Sequence, residues 1–132
     1  MTEPNTHPNI NRELCGEILS LAEGRAEVEL RPTQAMAADA RGLVHGGFVF
    51  GAADYAAMLA VNDPNVVLGA ANVSFLAPVR VGERVHLLAE VRGEKGRKRD
   101  VFVAGHVGAT RVFDGAFTCF VLERHVFDNQ RG

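Results

Sequence analysis

Residues 42–62 read "GLVHGGFVFGAADYAAMLAVN", and no other stretch limits the fold as strongly. From Gly46 to about Asn62 the side chains are small or apolar all round a helical wheel. A surface helix keeps a polar face, so this pattern predicts a helix enclosed on most sides. Asp63-Pro64-Asn65 ends it, because a residue preceding proline avoids helical backbone angles. One carboxylate, Asp54, stands in the middle of the run.

The remaining chain reads as strands able to enclose that helix. "GEILSL" and "RAEVELR" flank Glu23-Gly24, and Val28 and Leu30 alternate with Glu27, Glu29 and Arg31. This is a hairpin with one face buried and one wet. Pro32 stops its second strand, and "TQAMAADARG" is a connection with some short-helix character. Four strand-like runs follow the helix, at 66–77, 84–92, 100–107 and 111–124. The links between them are short and carry Pro78 and Gly82, Gly93 and Gly96, and Gly108, so neighbours are antiparallel. Gly105 and Gly115 fall inside strands and predict a bulge or sharp bend. The expectation is an α+β fold in which one long central helix is wrapped by a curved antiparallel sheet of five to six strands. It occupies a single domain over residues 10–126, with a disordered tail at 1–9 and a second tail at 127–132.

The 132 residues, 47% of them hydrophobic, suffice for one core. Lys and Arg (14) nearly balance Asp and Glu (16), which gives no pull toward nucleic acid. Residues 43–61 approach the length of a membrane span but contain His45 and Asp54. A charge at mid-bilayer costs about 2.5–3.5 kcal/mol, which argues against membrane insertion. The first ten residues lack the apolar stretch of a secretory leader, so a cytoplasmic location is expected. Cys15 and Cys119 lie in apolar surroundings without metal-ligand spacing, as buried thiols do; His106 and His125 lack a partner pattern, and no metal is inferred.

With "HGG" opening the enclosed helix, the chain resembles the hot-dog fold acyl-CoA thioesterases, in the branch of the phenylacetate-pathway enzymes. That branch reads roughly N-x-x-G-x-x-H-G-G with an Asp nine residues after the His. Here Asp39, Gly42, His45-Gly46-Gly47 and Asp54 stand at those intervals, and "ANVSFLAPVRVGERV" is similar to the family's strand–Pro–strand passage. The family usually has Asn or Gln where this chain has Asp39, an amide that helps place water or the thioester. An ionised Asp accepts hydrogen bonds there but donates none.

The resemblance implies hydrolysis of a small-molecule acyl-CoA thioester, with coenzyme A entering only as part of the substrate and no other cofactor. Such chemistry needs a group that activates water or attacks the acyl carbon, and donors aimed at the oxygen as it becomes negative. Asp54 is the candidate for the first role, as general base or nucleophile. The free amides at the helix start, Gly46 and Gly47 above all, are candidates for the second. His45 either touches the thioester or holds the loop that presents the glycines. Asn72 and Ser74 are candidates to border the cleft. Arg97, Lys98 and Arg99, in "RGEKGRKR", form either a solvated turn or a seat for the phosphates of coenzyme A.

Nine residues of helix rise about 13 Å and turn through roughly half a revolution net, so one chain does not easily bring Asp54 and His45 to one carbonyl. A two-fold dimer does, with the Asp54 of each subunit beside the Gly46 of the other, and the expected assembly is a dimer or a dimer of dimers. The alternative is a non-catalytic acyl-CoA-binding module, since the same fold serves as the sensing domain of a bacterial fatty-acid regulator.

Overall fold

In the computed structural model, which describes residues 2–129, two hairpins and a pair of long strands form one six-stranded antiparallel sheet. Strands β1 (Glu17–Ala22) and β2 (Arg25–Leu30) turn at Glu23-Gly24, where Gly24 takes a positive φ of 72°. Ala26, Val28 and Leu30 point inward and are wholly buried, while Arg25, Glu27 and Glu29 lie on the other face. The predicted alternation is therefore the observed one.

The helix α2 (Gly46–Val61) lies across the sheet, chiefly over β2, β4 (Val85–Lys95) and β5 (Lys98–Val107). Ala52, Ala53, Ala56 and Ala57 are all fully buried. Methyl side chains let the helix backbone approach the strands closely, which is why this helix lacks a conventional amphipathic stripe. It ends at Asn62, whose left-handed backbone (φ 55°, ψ 41°) lets its N–H cap the Met58 carbonyl. The sheet order is β1-β2-β4-β5-β6-β3, with β3 spanning Val66–Phe75 and β6 spanning Thr110–Val121. The hot-dog architecture expected from the sequence is thus the architecture found, with six strands.

The two strand glycines act differently. The β5/β6 register slips between Gly105 and His106, a bulge as expected. Gly115 keeps its register but faces β3 with no room to spare. A Cβ there would stand 2.5 Å from Val73 Cγ1 and 2.7 Å from the Asn72 carbonyl oxygen. A further bulge, between Leu68 and Ala70, was not foreseen.

β3 is an edge strand, and Phe75 and Leu76 at its end are 55% and 51% exposed. Between β2 and α2, the loop carries a short 3-10 turn (Gln34–Met36) whose Met36 is buried, in keeping with the helical character read there.

The first residues depart from the expected disordered tail. Asn62 holds them as an arm: its Oδ1 accepts from the Asn5 N–H (2.7 Å) and its Nδ2 donates to the Glu3 carbonyl (2.9 Å). The Thr2 N–H reaches the Leu21 carbonyl, and Thr6 is buried. A four-residue helix, α1 (Arg12–Cys15), then packs on α2. At the other end, Val126–Asn129 makes a 3-10 turn inside the expected C-terminal tail; residues 130–132 of that tail lie outside the described residues.

Gly115→Ala is expected to lower unfolding free energy by about 1–3 kcal/mol, the usual cost of overpacking, because the obstructing atoms include β3 backbone. Denaturant unfolding measures it; a variant as stable as the parent contradicts the close approach.

Candidate active site

The start of α2 is built by a tightly fastened loop. Asp39 Oδ1 accepts from the Arg41 N–H (2.9 Å) and the Leu43 N–H (3.1 Å). Val44 N–H then bonds the Val79 carbonyl and His45 N–H the Met36 carbonyl, each at 2.9 Å. So fixed, His45 caps the helix. Its Nδ1 accepts from the Gly47 N–H (2.9 Å), which assigns the ring proton to Nε2, and its carbonyl accepts from the Phe48 N–H (3.1 Å). Gly47 has to lack a side chain for this, since a Cβ would lie 2.8 Å from His45 Nδ1.

That cap changes the expected set of donors. Gly47 and Phe48 amides are already taken, whereas no acceptor among the described residues takes the Gly46 N–H. Gly46 adjoins an apolar pocket of about 220 Å³ walled by Val44, Val49, Phe75, Val79 and Val112. A Cβ on Gly46 would come within 3.2 Å of the Phe75 ring, so its bare α-carbon keeps the pocket open beside the free amide.

Asp54 lies farther along α2, eight residues from Gly46, or about 12 Å of rise. It shares with Gly47 and Gly51, at helical spacing, a side of the helix that the sheet leaves partly open. Its neighbours Ala53 and Tyr55 are buried. Asp54 Oδ1 is itself buried with no hydrogen-bond partner among the described residues. Burial pushes its pKa up from 3.8 to about 6. Both cysteines are free; burial raises the pKa of each, Cys119 to about 12, and the charge of Asp54 raises them further.

Other residues singled out from the sequence fall elsewhere. Asp39 is a loop builder, its Oδ1 spent on two backbone amides. Asn72 and Ser74 pair with Ala116 and Asp114, while Val73 and Phe75 pair with the buried Gly115 and Phe113. Strand alternation therefore turns Asn72 and Ser74 to the outer face, away from α2 and the Gly46 pocket. Arg97, Lys98 and Arg99 sit on the β4–β5 hairpin with protein partners: Glu123 for Arg97, Asp100 for Lys98, and Glu94 plus the Gly96 carbonyl for Arg99. None of the three lines the Gly46 pocket. Thus His45, Gly46 and Gly47 come together, Asp54 stands two helical turns away, and the other six do not join them.

A second, larger cleft of about 880 Å³ was missed. The N-terminal arm walls it together with Arg12, Tyr55, Asn65 and His125. The arm reads as a polar tail, so no signal in composition marks the site. Among the described residues no group of three or more His, Cys, Asp or Glu is placed to hold a metal, and no helix is long and apolar enough to cross a membrane.

The sequence matches the thioesterase superfamily over residues 41–103, the span from the loop before His45 into β5. The chain belongs to the thioesterase superfamily. Among curated relatives, it is 53% identical over 119 residues to a methylthioribose-1-phosphate isomerase of Aquifex aeolicus, covering 89% of this chain but 26% of that protein. It is 30% identical over 115 residues to the transcription factor FapR of Caldanaerobacter subterraneus, covering 86% of this chain and 58% of the relative. This superfamily member therefore spans about a quarter of one relative and little over half of the other. Among solved structures, an uncharacterized protein of Pyrococcus horikoshii is 48% identical and superposes with a TM-score of 0.95 over 96% of this chain and 98% of its own. A hypothetical thioesterase of Streptococcus pneumoniae, solved with coenzyme A, shares the fold at 18% identity (TM-score 0.74, 83% of this chain and 87% of its own).

A carboxyl group with a raised folded pKa binds its proton more tightly folded than unfolded, so its protonation stabilises the fold below the unfolded pKa. That stabilisation is lost as pH climbs from about 4 through about 6. Asp54→Asn is therefore expected to be more stable than the parent at pH 8, by up to about 3 kcal/mol, with the gain vanishing near pH 4. Denaturant unfolding at the two pH values checks the sign; equal differences at both would show that Asp54 is well solvated.

Proposed function

We propose that the protein hydrolyses an acyl-CoA thioester at a site built by two copies of the chain. The observation that carries this reading is the buried, unpartnered Asp54 Oδ1 on the open side of α2. An unmet carboxylate oxygen is expensive to keep, and a reacting water or acyl carbon gives it a use. The unengaged Gly46 N–H, next to an apolar pocket, is the complementary donor for a developing oxyanion. His45 orients that amide by capping the next one, which makes it a positioning residue.

In the proposed assembly two β3 edges pair antiparallel and lay the two helices side by side. The free edge of β3 and the exposed Phe75 and Leu76 support this pairing, since an uncovered apolar edge is a template for another strand. Each Asp54 then faces the Gly46 of its mate, and the acyl group occupies the pocket behind Phe75. A dimer of dimers joins two such pairs through another surface, because each free β3 edge is already used. The first step is attack on the thioester carbon by water deprotonated at Asp54, whose proton then passes to the departing coenzyme A thiolate, or by Asp54 itself. Direct attack gives an acyl-Asp54 anhydride and a thiolate protonated by water; a second water then hydrolyses the anhydride to the free acid and restores Asp54.

A second reading is favoured by one observation, the extended similarity to FapR, a transcription factor. In that reading the same pocket binds an acyl-CoA without turning it over. Release of free thiol from a panel of CoA thioesters separates the two; tight binding with no release selects the sensor.

Asp54→Asn is expected to cut kcat by roughly 10²–10⁴-fold, the range for losing a general base. The parent's kcat/KM should climb with pH through about 6 and then level off, because Asp54 acts deprotonated. An Asn variant of near-normal turnover refutes the role.

Shared sites make a further prediction. Gly46→Pro removes the donor N–H at the first helical position, where proline is tolerated. Gly46→Pro and Asp54→Asn chains should each be inactive alone, yet an equal mixture, dissociated and reassembled, should regain about a quarter of wild-type activity, because half the dimers then carry one intact site. No recovery after verified subunit exchange means that the site is not shared.

A further inference from the structure

The larger cleft shares no lining residue with the Gly46 pocket and lies by the other end of α2, where the chain leaves the helix for β3. At about 880 Å³ it matches the size of sites for organic ligands and far exceeds what a single inorganic ion needs. Its lining is specialised: Arg12 brings a permanent positive charge, and no Asp or Glu side chain contributes to the wall. Asn5, Asn9 and Asn65 bring amides, which pair with both donors and acceptors. His7 and Tyr55 bring rings, their centroids 6.4 Å apart, and Pro4, Pro8 and Pro64 add flat apolar surface.

The wall is held in place. His7 adopts a left-handed backbone (φ 52°), which costs a non-glycine residue on the order of 1 kcal/mol. The paired bonds from Asn62 to Asn5 and Glu3, and from Thr2 to Leu21, hold the arm in that shape. Arg12 is only loosely committed, with its nearest carboxylate, Glu17, at 3.9 Å and both side chains well exposed.

We propose that this cleft is a second binding site, for a nucleoside phosphate: the guanidinium of Arg12 takes the phosphate, the rings and prolines take the base face, and the asparagine amides take its polar edge. Arg suits phosphate through its planar fork of donors. Two molecules supply that chemistry, the nucleotide end of a CoA thioester bound across the dimer or a separate nucleotide acting on the protein. The proposal rests on the cleft alone and stands whether or not the protein turns over a thioester.

Isothermal titration of the full chain with adenosine 3′,5′-bisphosphate, and separately with inorganic phosphate, tests it. The bisphosphate should bind, and inorganic phosphate more weakly. Arg12→Gln should weaken the bisphosphate at least roughly tenfold, the scale of one charge-assisted phosphate contact. Asn62→Gly keeps the left-handed turn but unfastens the arm, and it should weaken binding too. Thermal melting confirms that both variants are folded. Asp54→Asn should bind as the parent does, which separates failure of this site from failure of the thioesterase reading. Competitive inhibition of thioester hydrolysis by the bisphosphate identifies the CoA end as the occupant; binding without competition identifies a separate nucleotide. Absence of binding at millimolar bisphosphate, or affinity unchanged in Arg12→Gln, overturns the proposal.

Discussion

Enclosure of α2 by the sheet is the constraint on which the rest depends. Four alanines at zero exposure bring helix and strands together, and the approach leaves no room for polar side chains on the sheet side. Anything chemical on the helix is thereby confined to its two ends and its one open stripe. Asp54 is on the stripe, Gly46 at the beginning, and the arm-walled cleft beside the final turns. The same enclosure raises the proton affinity of Asp54, so packing and chemistry have a single origin.

Much of this was legible beforehand. A helix apolar all round, ended by Asn62 and Asp63-Pro64, is hard to mistake, and the hairpins announce themselves through alternation and glycine turns. Less visible was the facing of β3. The bulge at Gly69 resets its alternation, and Gly69 with Ala70 and Ala71 after it gives no hydrophobic contrast to reveal it. The sequence therefore leaves Asn72 and Ser74 as candidates to border the cleft, and the register turns them outward. The basic hairpin reads equally as a solvated turn or a phosphate seat; its cations pair with Glu94, Asp100 and Glu123, the last of them remote in sequence. Composition made the arm look like a tail, yet it is held mainly by backbone groups and by Asn62, which composition does not register.

The "HGG" motif carries more information than spacing suggests. Its histidine uses one ring nitrogen and one carbonyl to occupy two of the amides that a helix start would otherwise leave open. Its second glycine permits that cap, and its first keeps a bare α-carbon and a free N–H beside the Phe75 ring. Each position thus has a different steric and hydrogen-bonding reason for its identity. The result is one donor left for chemistry, where the motif alone suggested several.

Asp54 and Gly46 present two unmet requirements of opposite sign on one rigid helix, separated by about 12 Å. No side-chain rotation closes that gap, and bending an enclosed helix would disrupt its contacts across the sheet. In the proposed assembly, an antiparallel second copy brings the donor of one helix toward the carboxylate of the other without deforming either. A carboxylate with a pKa near 6 is also a stronger base than an ordinary one while remaining largely ionised at neutral pH. Burial that costs stability in the single chain is, in the proposed assembly, the source of reactivity.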